Sequence, residues 1–285
     1  MENEKKKSSV GSIILKVILA VLLLLAITGA GLYFWLSKAY KEAQAQQTEQ
    51  ANTIIGQEAS DYTVQLTDGS EIRISELLED HEAVVVNIFA TWCGPCEAEF
   101  PELEEFYEKY GDKVAVIAVD PDILDDLDAV TKYKESHALS FPMGVADKDS
   151  ASILSVMSFP TTYVIDRNGK IGFYQRGAIY NPEMQEKVFT AFTGDDYQEK
   201  QVTLYTFVVG TKEGEIIPDA QLLLHSDHVE EIVTTDEDGA AYYYTETPED
   251  IEVTVMSLPG NHTADDGVVA RTSGNVSQWT VIYVD

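Results

Sequence analysis

Ala83-Val84-Val85-Val86-Asn87-Ile88-Phe89-Ala90 runs directly into Thr91-Trp92-Cys93-Gly94-Pro95-Cys96, which holds the only two cysteines of a 285-residue chain. The apolar run has the length and composition of a strand buried on both faces. The segment Cys93 to Tyr110 after it is predicted to be helical despite Pro101. Two thiols separated by two residues at such a strand-to-helix junction can close a small disulfide, and the N-terminus of the helix favours a thiolate. A redox dithiol is the leading reading. Half of a zinc site is the weaker one, because structural zinc needs four ligands and no further cysteine completes a set. A structural disulfide is the other, but a loop this short constrains the unfolded chain little and so adds little stability.

Working towards the N-terminus, Val17 to Leu36 is a stretch of twenty residues without a charge, dominated by Leu, Ile, Val and Ala. That is about the length needed to cross a bilayer core. Lys5, Lys6, Lys7 and Lys16 precede it and Tyr33 and Trp35 lie near its far end, so the positive-inside bias puts the N-terminus in the cytoplasm. The apolar run is longer than that of a usual cleavable signal, although Ala43-Gln44-Ala45 offers a cleavage motif. The expected organisation is a cytoplasmic N-terminus (1–12), a single membrane anchor (13–36) and a polar spacer (37–55), with everything after it outside the cell membrane.

The net charge is −30, and residues 1–41 carry six Lys against two Glu, so the remainder is still more acidic. Such a surface argues against nucleic acid or anionic lipid as partners of the exported part and favours solubility. Beyond the spacer the texture changes once, near Gly194. Between Gly56 and Phe192 apolar strands alternate with helical patterns; from Gln201 onward short alternating strands are broken by Gly, Pro and Asp. Two domains follow, 56–194 and 201–285. The first is predicted as an α/β unit: a hairpin at Tyr62–Ile74, a short helix at Ser75–Glu79, strands at 83–90 and 114–119, and a helix at Ile123–His137. A short helix near Ser150–Val156, strands at Thr161–Ile165 and Lys170–Arg176, and a closing helix at Pro182–Phe192 complete it.

In this order, Phe89-Ala90-Thr91-Trp92-Cys93-Gly94-Pro95-Cys96, Glu99-Phe100-Pro101, Phe159-Pro160-Thr161-Thr162 and Asp166-Arg167-Asn168-Gly169-Lys170-Ile171 resemble the TlpA/ResA-like membrane-anchored thiol-disulfide oxidoreductases of the thioredoxin superfamily. The resemblance covers roughly Gly56 to Phe192 and implies a thioredoxin-like fold, a central mixed sheet flanked by helices. It implies that Cys93, exposed near the helix N-terminus, attacks and that Cys96 resolves the mixed disulfide. It makes Pro160 a cis-proline and places Trp92, Phe159, Pro160 and Thr161 at the substrate surface, with Gly94, Pro95, Asn87 and Pro101 shaping the site. Glu99 is the candidate for proton handling, since Asn87 stands where thioredoxin has an ionisable aspartate; the bland alternative is a solvated helix glutamate among Glu97, Glu102, Glu104 and Glu105. The resemblance further implies no cofactor beyond the Cys93–Cys96 pair, exported proteins as substrates, and a CcdA- or DsbD-like membrane protein as electron donor.

Residues 201–285 offer strands at Val202–Val209, Ala220–His225, Glu231–Thr235, Ala240–Thr245, Ile251–Met256 and Trp279–Val284, the pattern of an all-β sandwich. Ile216-Ile217-Pro218-Asp219-Ala220 and Thr234-Thr235-Asp236-Glu237-Asp238-Gly239 resemble transthyretin-like or Cna-B-type domains, but Lys212, the lysine of this module, is poorly placed for an isopeptide bond. His225 and His228 lack a third ligand, so no metal site is expected. Tyr242-Tyr243-Tyr244 reads as core more than as a binding patch. The functional reading is a membrane-anchored, extracytoplasmic disulfide reductase. An oxidase, an electron donor to an exported methionine sulfoxide reductase or peroxidase, and a surface binding protein with a thioredoxin-like scaffold remain the alternatives.

Overall fold

The structure, a computed structural model, describes residues 54–121, 125–146, 158–264, 267–272 and 277–285, together with Leu15, Tyr33, Trp35, Leu36 and Lys38. Most of the predicted membrane span and all of the predicted helix at Ser150–Val156 lie outside the described residues. Among the described residues no helix is long and apolar enough to cross a membrane. The chain divides into two units, residues 1–50 and 51–285.

The first half of the larger unit runs β1 (Thr63–Leu66), β2 (Glu71–Arg73), a 3-10 helix (Ile74–Glu79), β3 (Ala83–Ile88), α1 (Gly94–Tyr110), β4 (Val114–Asp120), α2 (Leu127–Ser136), β5 (Met143–Ala146), β6 (Thr161–Asp166), β7 (Ile171–Arg176) and α3 (Pro182–Thr190). Its strands form one mixed sheet in the order β2-β1-β5-β4-β3-β6-β7. β3 is central, parallel to β4 and antiparallel to β6. All six of its residues are buried, because both faces of the sheet are covered.

Strand alternation divides those residues between two cores. Ala83 and Val85 point into a cluster with Phe100, Leu103, Phe106, Val188 and Phe189 from α1 and α3. Val84, Val86 and Ile88 point the other way, to Val64, Ile74 and Leu77. Asn87 falls in the first set by the same period of two, which sends its amide toward α1. The predicted helix at Ile123–His137 begins instead at Leu127, where the Asp126 side chain accepts a hydrogen bond from Ala129 N at 2.9 Å and caps the first turn.

Seven further strands follow: β8 (Thr203–Thr211), β9 (Gln221–His225), β10 (Glu230–Thr234), β11 (Ala240–Thr245), β12 (Ile251–Ser257), β13 (Val268–Thr272) and β14 (Gln278–Val284). They form a four-stranded sheet, β10-β9-β12-β13, and a three-stranded one, β11-β8-β14, in which the last strand runs parallel to β8. Tyr205, Phe207 and Val209 of β8 share a buried cluster with Leu222, Leu224, Ile251, Val253, Ile282 and Val284. The opposite side of the same strand serves the first half: Leu204, and Val202 just before the strand, are buried in the α1/α3 cluster, with Tyr242 and Tyr244 packed against it. Tyr243 turns away and stacks on Tyr205, ring centroids 6.2 Å apart. The tyrosine triplet thus packs one ring against one core and two against another.

The expected boundary at Gly194–Lys200 is strapped down. Arg167 donates to the Gly194 carbonyl at 2.7 Å, Tyr197 Oη donates to Asp166 Oδ2 at 2.8 Å, and Lys170 pairs with Glu199 at 2.8 Å. Lys212 pairs with Asp285 at 3.4 Å.

Candidate active site

Cys93 and Cys96 form a disulfide with Cα atoms 5.3 Å apart. Cys93 is the N-cap of α1, and its Sγ accepts a hydrogen bond from Cys96 N at 3.2 Å. Gly94 and Pro95 occupy the first turn, where an absent N–H costs nothing because no intrahelical acceptor faces it. Both are exposed, but Cys93 itself is only 5% exposed, less than expected for the attacking thiol. In the oxidised pair its sulfur is drawn down onto the start of the helix and into the core cluster that holds Phe89 and Phe100. Upstream, Thr91 N and Oγ1 both donate to Asp125 Oδ2, at 3.0 and 2.8 Å, which fixes the turn between β3 and the cysteines. Helix α1 continues through Pro101.

The Phe159-Pro160 peptide bond is cis. Phe159 packs edge-on against Trp92, ring centroids 5.7 Å apart, and Trp92 is 62% exposed, a large apolar side chain standing in solvent beside the disulfide. Thr161, expected at the substrate surface, is buried: it pairs with Ile88 and Arg176 across β6, and its hydroxyl donates to the Ser158 carbonyl at 2.8 Å. Its side chain is a strand-interior group, because β6 is flanked on both sides at that position.

Glu99 is 1% exposed, which rules out the solvated helix glutamate. It lies one turn beyond Cys96 on α1. Oε1 accepts from Ile179 N at 2.7 Å and Oε2 from Asn87 Nδ2 at 2.9 Å. The Asn87 amide also donates to Thr162 Oγ1 at 2.9 Å, the residue opposite it in the β3–β6 register. Burial pushes the Glu99 carboxyl up to about 7; the two donors from Ile179 and Asn87 hold it back only in part. The site therefore contains a buried acid that changes charge near neutrality.

Several contributors were not legible in the sequence. Thr162 could have been found from the strand period, since it shares a face with Val164 and meets Asn87 across the ladder. Ile179 acts through its backbone, and no side-chain pattern marks it. Its carbonyl accepts from Gln185 Nε2 at 2.7 Å, so the loop before α3 is held from both sides. Among the described residues no cluster of three His, Cys, Asp or Glu side chains is arranged to hold a metal.

A dithiol at the first turn of a helix that follows a central strand, with a cis-proline opening a neighbouring strand, defines a thioredoxin-like redox protein. Residues 55–174 match the model of the AhpC/TSA family. The thioredoxin-like protein YneN of Bacillus subtilis (strain 168) is 31% identical over 169 residues, 59% of this chain and 92% of that protein. The thiol-disulfide oxidoreductase ResA of Bacillus thuringiensis subsp. konkukian (strain 97-27) is 33% identical over 142 residues, 49% of this chain and 79% of that one. The crystal structure of StoA from Bacillus subtilis aligns over 45% of this chain and 95% of its own, with 19% identity and a TM-score of 0.39. The chain belongs to the thioredoxin-like family of ResA- and YneN-like thiol-disulfide oxidoreductases, and is an enzyme of that class.

Proposed function

We propose that the protein is a membrane-anchored, extracytoplasmic reductase of disulfides in exported proteins, with residues 13–36 as the anchor and the N-terminus in the cytoplasm. The observation that carries this reading is the pairing of the Cys93–Cys96 disulfide with a buried carboxyl one turn further along α1. The charge-free run Val17–Leu36, preceded by lysines, supports the location. The Gly-Pro pair between the cysteines, resembling that of reducing relatives, supports the direction.

In the reduced enzyme the Cys93 thiolate attacks one sulfur of a substrate cystine. The substrate S–S bond breaks, one substrate sulfur leaves as a thiolate that takes up a proton, and a mixed disulfide with Cys93 remains. Cys96 then attacks Cys93 Sγ, releasing the second substrate thiol and closing the Cys93–Cys96 bond. Two electrons pass to the substrate. Glu99, whose carboxyl burial raises to about 7, accepts the proton of Cys96 as it attacks. Trp92 and Phe159 form the surface on which the substrate rests. Reduction of the enzyme by a CcdA- or DsbD-like membrane protein closes the cycle. Residues 201–285 form a β-sandwich of transthyretin-like or Cna-B type.

The test is the reduction potential of the Cys93–Cys96 pair in the full-length chain, held in detergent and equilibrated with dithiothreitol or glutathione buffers. A value near that of thioredoxin, about −270 mV, is expected; one near that of DsbA, about −120 mV, would make the protein an oxidant instead. A Cys96→Ser variant should accumulate mixed disulfides with exported proteins, and a Cys93→Ser variant should not.

A further inference from the structure

Ser277 and strand β14 bring the C-terminal module against the loop beside the redox site. Gln175, at the end of β7, forms an isolated parallel bridge with Ser277, whose Oγ accepts from Leu204 N at 2.7 Å. Two residues further, the Trp279 ring covers Gly177. A Cβ built on that glycine would stand 3.5 Å from the indole Nε1, and its φ of +91° already favours glycine. The same indole meets Tyr180 edge-to-face, ring centroids 5.8 Å apart at 90°. Trp279 is 36% exposed.

What Trp279 covers is the back of the loop that completes the site. Gly177 N donates to the Pro160 carbonyl at 2.8 Å, and Ile179 N donates to Glu99 Oε1 at 2.7 Å. The loop backbone makes no strand pairing of its own here. Gln175 Nε2 supports it through the Ala178 carbonyl at 3.3 Å, and Gln185 through that of Ile179. Trp279 packs on Gly177, which carries one donor, and on Tyr180, the neighbour of Ile179, which carries the other.

We propose that Trp279 is a positioning residue of the redox centre: by packing on Gly177 and Tyr180 it holds the Ile179 N–H on Glu99 and the Gly177 N–H on Pro160. The C-terminal module is then part of the machinery that sets the reactivity of the dithiol. The inference rests on the proposed redox role of Cys93 and Cys96. The groups that face Glu99 are the Asn87 amide from β3, the Ile179 N–H and the Tyr180 phenol from this loop, and Cys96 one turn back on α1. Loss of the Ile179 donor removes a contact that favours the carboxylate, so the Glu99 titration moves to higher pH.

The experiment compares full-length wild type with Trp279→Ala and Trp279→Phe, each reduced and then alkylated by iodoacetamide across pH 5 to 9. Trp279→Ala is expected to shift the inflection near pH 7 upward and change the Cys93 alkylation rate at pH 7 by about three- to tenfold. Trp279→Phe, which keeps a ring over Gly177, should restore most of the wild-type profile. Val281→Ala, two residues on along the same face of β14, is the control and should coincide with wild type. A Trp279→Ala profile that coincides with wild type overturns the inference whatever its melting temperature. Should that variant not fold, Trp279→Leu, which keeps bulk but no ring, decides by the same comparison. If the wild-type cysteines fail to exchange with any disulfide, the proposed function falls; if they exchange and the profiles coincide, only the role of Trp279 does.

Discussion

Asn87 and Glu99 meet through one hydrogen bond of 2.9 Å, from the amide of a central strand to the carboxyl of the helix that carries the cysteines. An amide at that place donates to the carboxylate without bringing a charge of its own. Glu99 is therefore held by two neutral donors in a buried setting, and its proton is set by burial more than by any ionic partner.

The stability of the fold should carry the signature of that acid. Burial raises this carboxyl to about 7 in the folded state, while the unfolded chain releases the proton near the ordinary glutamate value of 4.5. Between those values the folded protein binds more protons, so this group's contribution to stability falls as pH rises from about 4.5 to 7 and is level above. Glu99→Gln should remove that slope, a difference of up to about 3 kcal/mol between pH 4.5 and pH 8. Urea unfolding of the two proteins at several pH values measures it.

Asn87→Asp should push the site further. It places a second carboxyl at hydrogen-bond distance from Glu99, and two such groups cannot both ionise at low cost. One apparent carboxyl pKa of the pair should rise above 7, visible in side-chain carboxyl NMR, and the variant should lose stability above neutrality. Two titrations that both stay in the ordinary carboxylate range would mean that the site is wetter than its burial indicates.

Trp92→Ala separates surface from core. With 62% of its area exposed, the ring adds little to folding, and the melting temperature should move by no more than about 2–4 °C, equivalent to about 1 kcal/mol or less. Exchange with a cystine-containing protein should slow clearly more than exchange with a small disulfide such as oxidised glutathione. Equal slowing of both would place the tryptophan's effect on the dithiol itself.

Leu204→Ala tests whether the larger unit unfolds in one step. Leu204 is fully buried between the C-terminal sheets and α1/α3, and its truncation should cost about 2–5 kcal/mol. Tryptophan fluorescence reports Trp92 in one half and Trp279 in the other, alongside calorimetry. A single cooperative transition, lowered as a whole, is expected; two transitions with only one displaced would mean that the halves fold apart.

The part of the fold legible from the sequence was the part governed by local period. The apolar run at Ala83–Ile88 announced a doubly covered strand, and counting by twos along it puts Asn87 on the face toward α1. Strand β13 (Val268–Thr272) is not legible from local period, because two valines beside Ala and Arg, after the acidic Asp265-Asp266, make no clear alternation. Gly194–Lys200 reads from its composition only as a polar boundary stretch, and composition does not show that Gly194, Tyr197 and Glu199 meet Arg167, Asp166 and Lys170. Composition reports what a segment is made of, and not which distant partner it meets. The same limit hid Ile179, whose contribution is a backbone N–H, and Trp279, which lies about a hundred residues from the glycine it covers.

Strand β14 lies alongside β8, the first strand of the C-terminal module and far earlier in the sequence. The three-stranded sheet cannot close until residues 278–284 have been made, long after both cysteines, and the ring that lies over Gly177 arrives with that strand. The dithiol is complete in sequence well before its surroundings are complete in space.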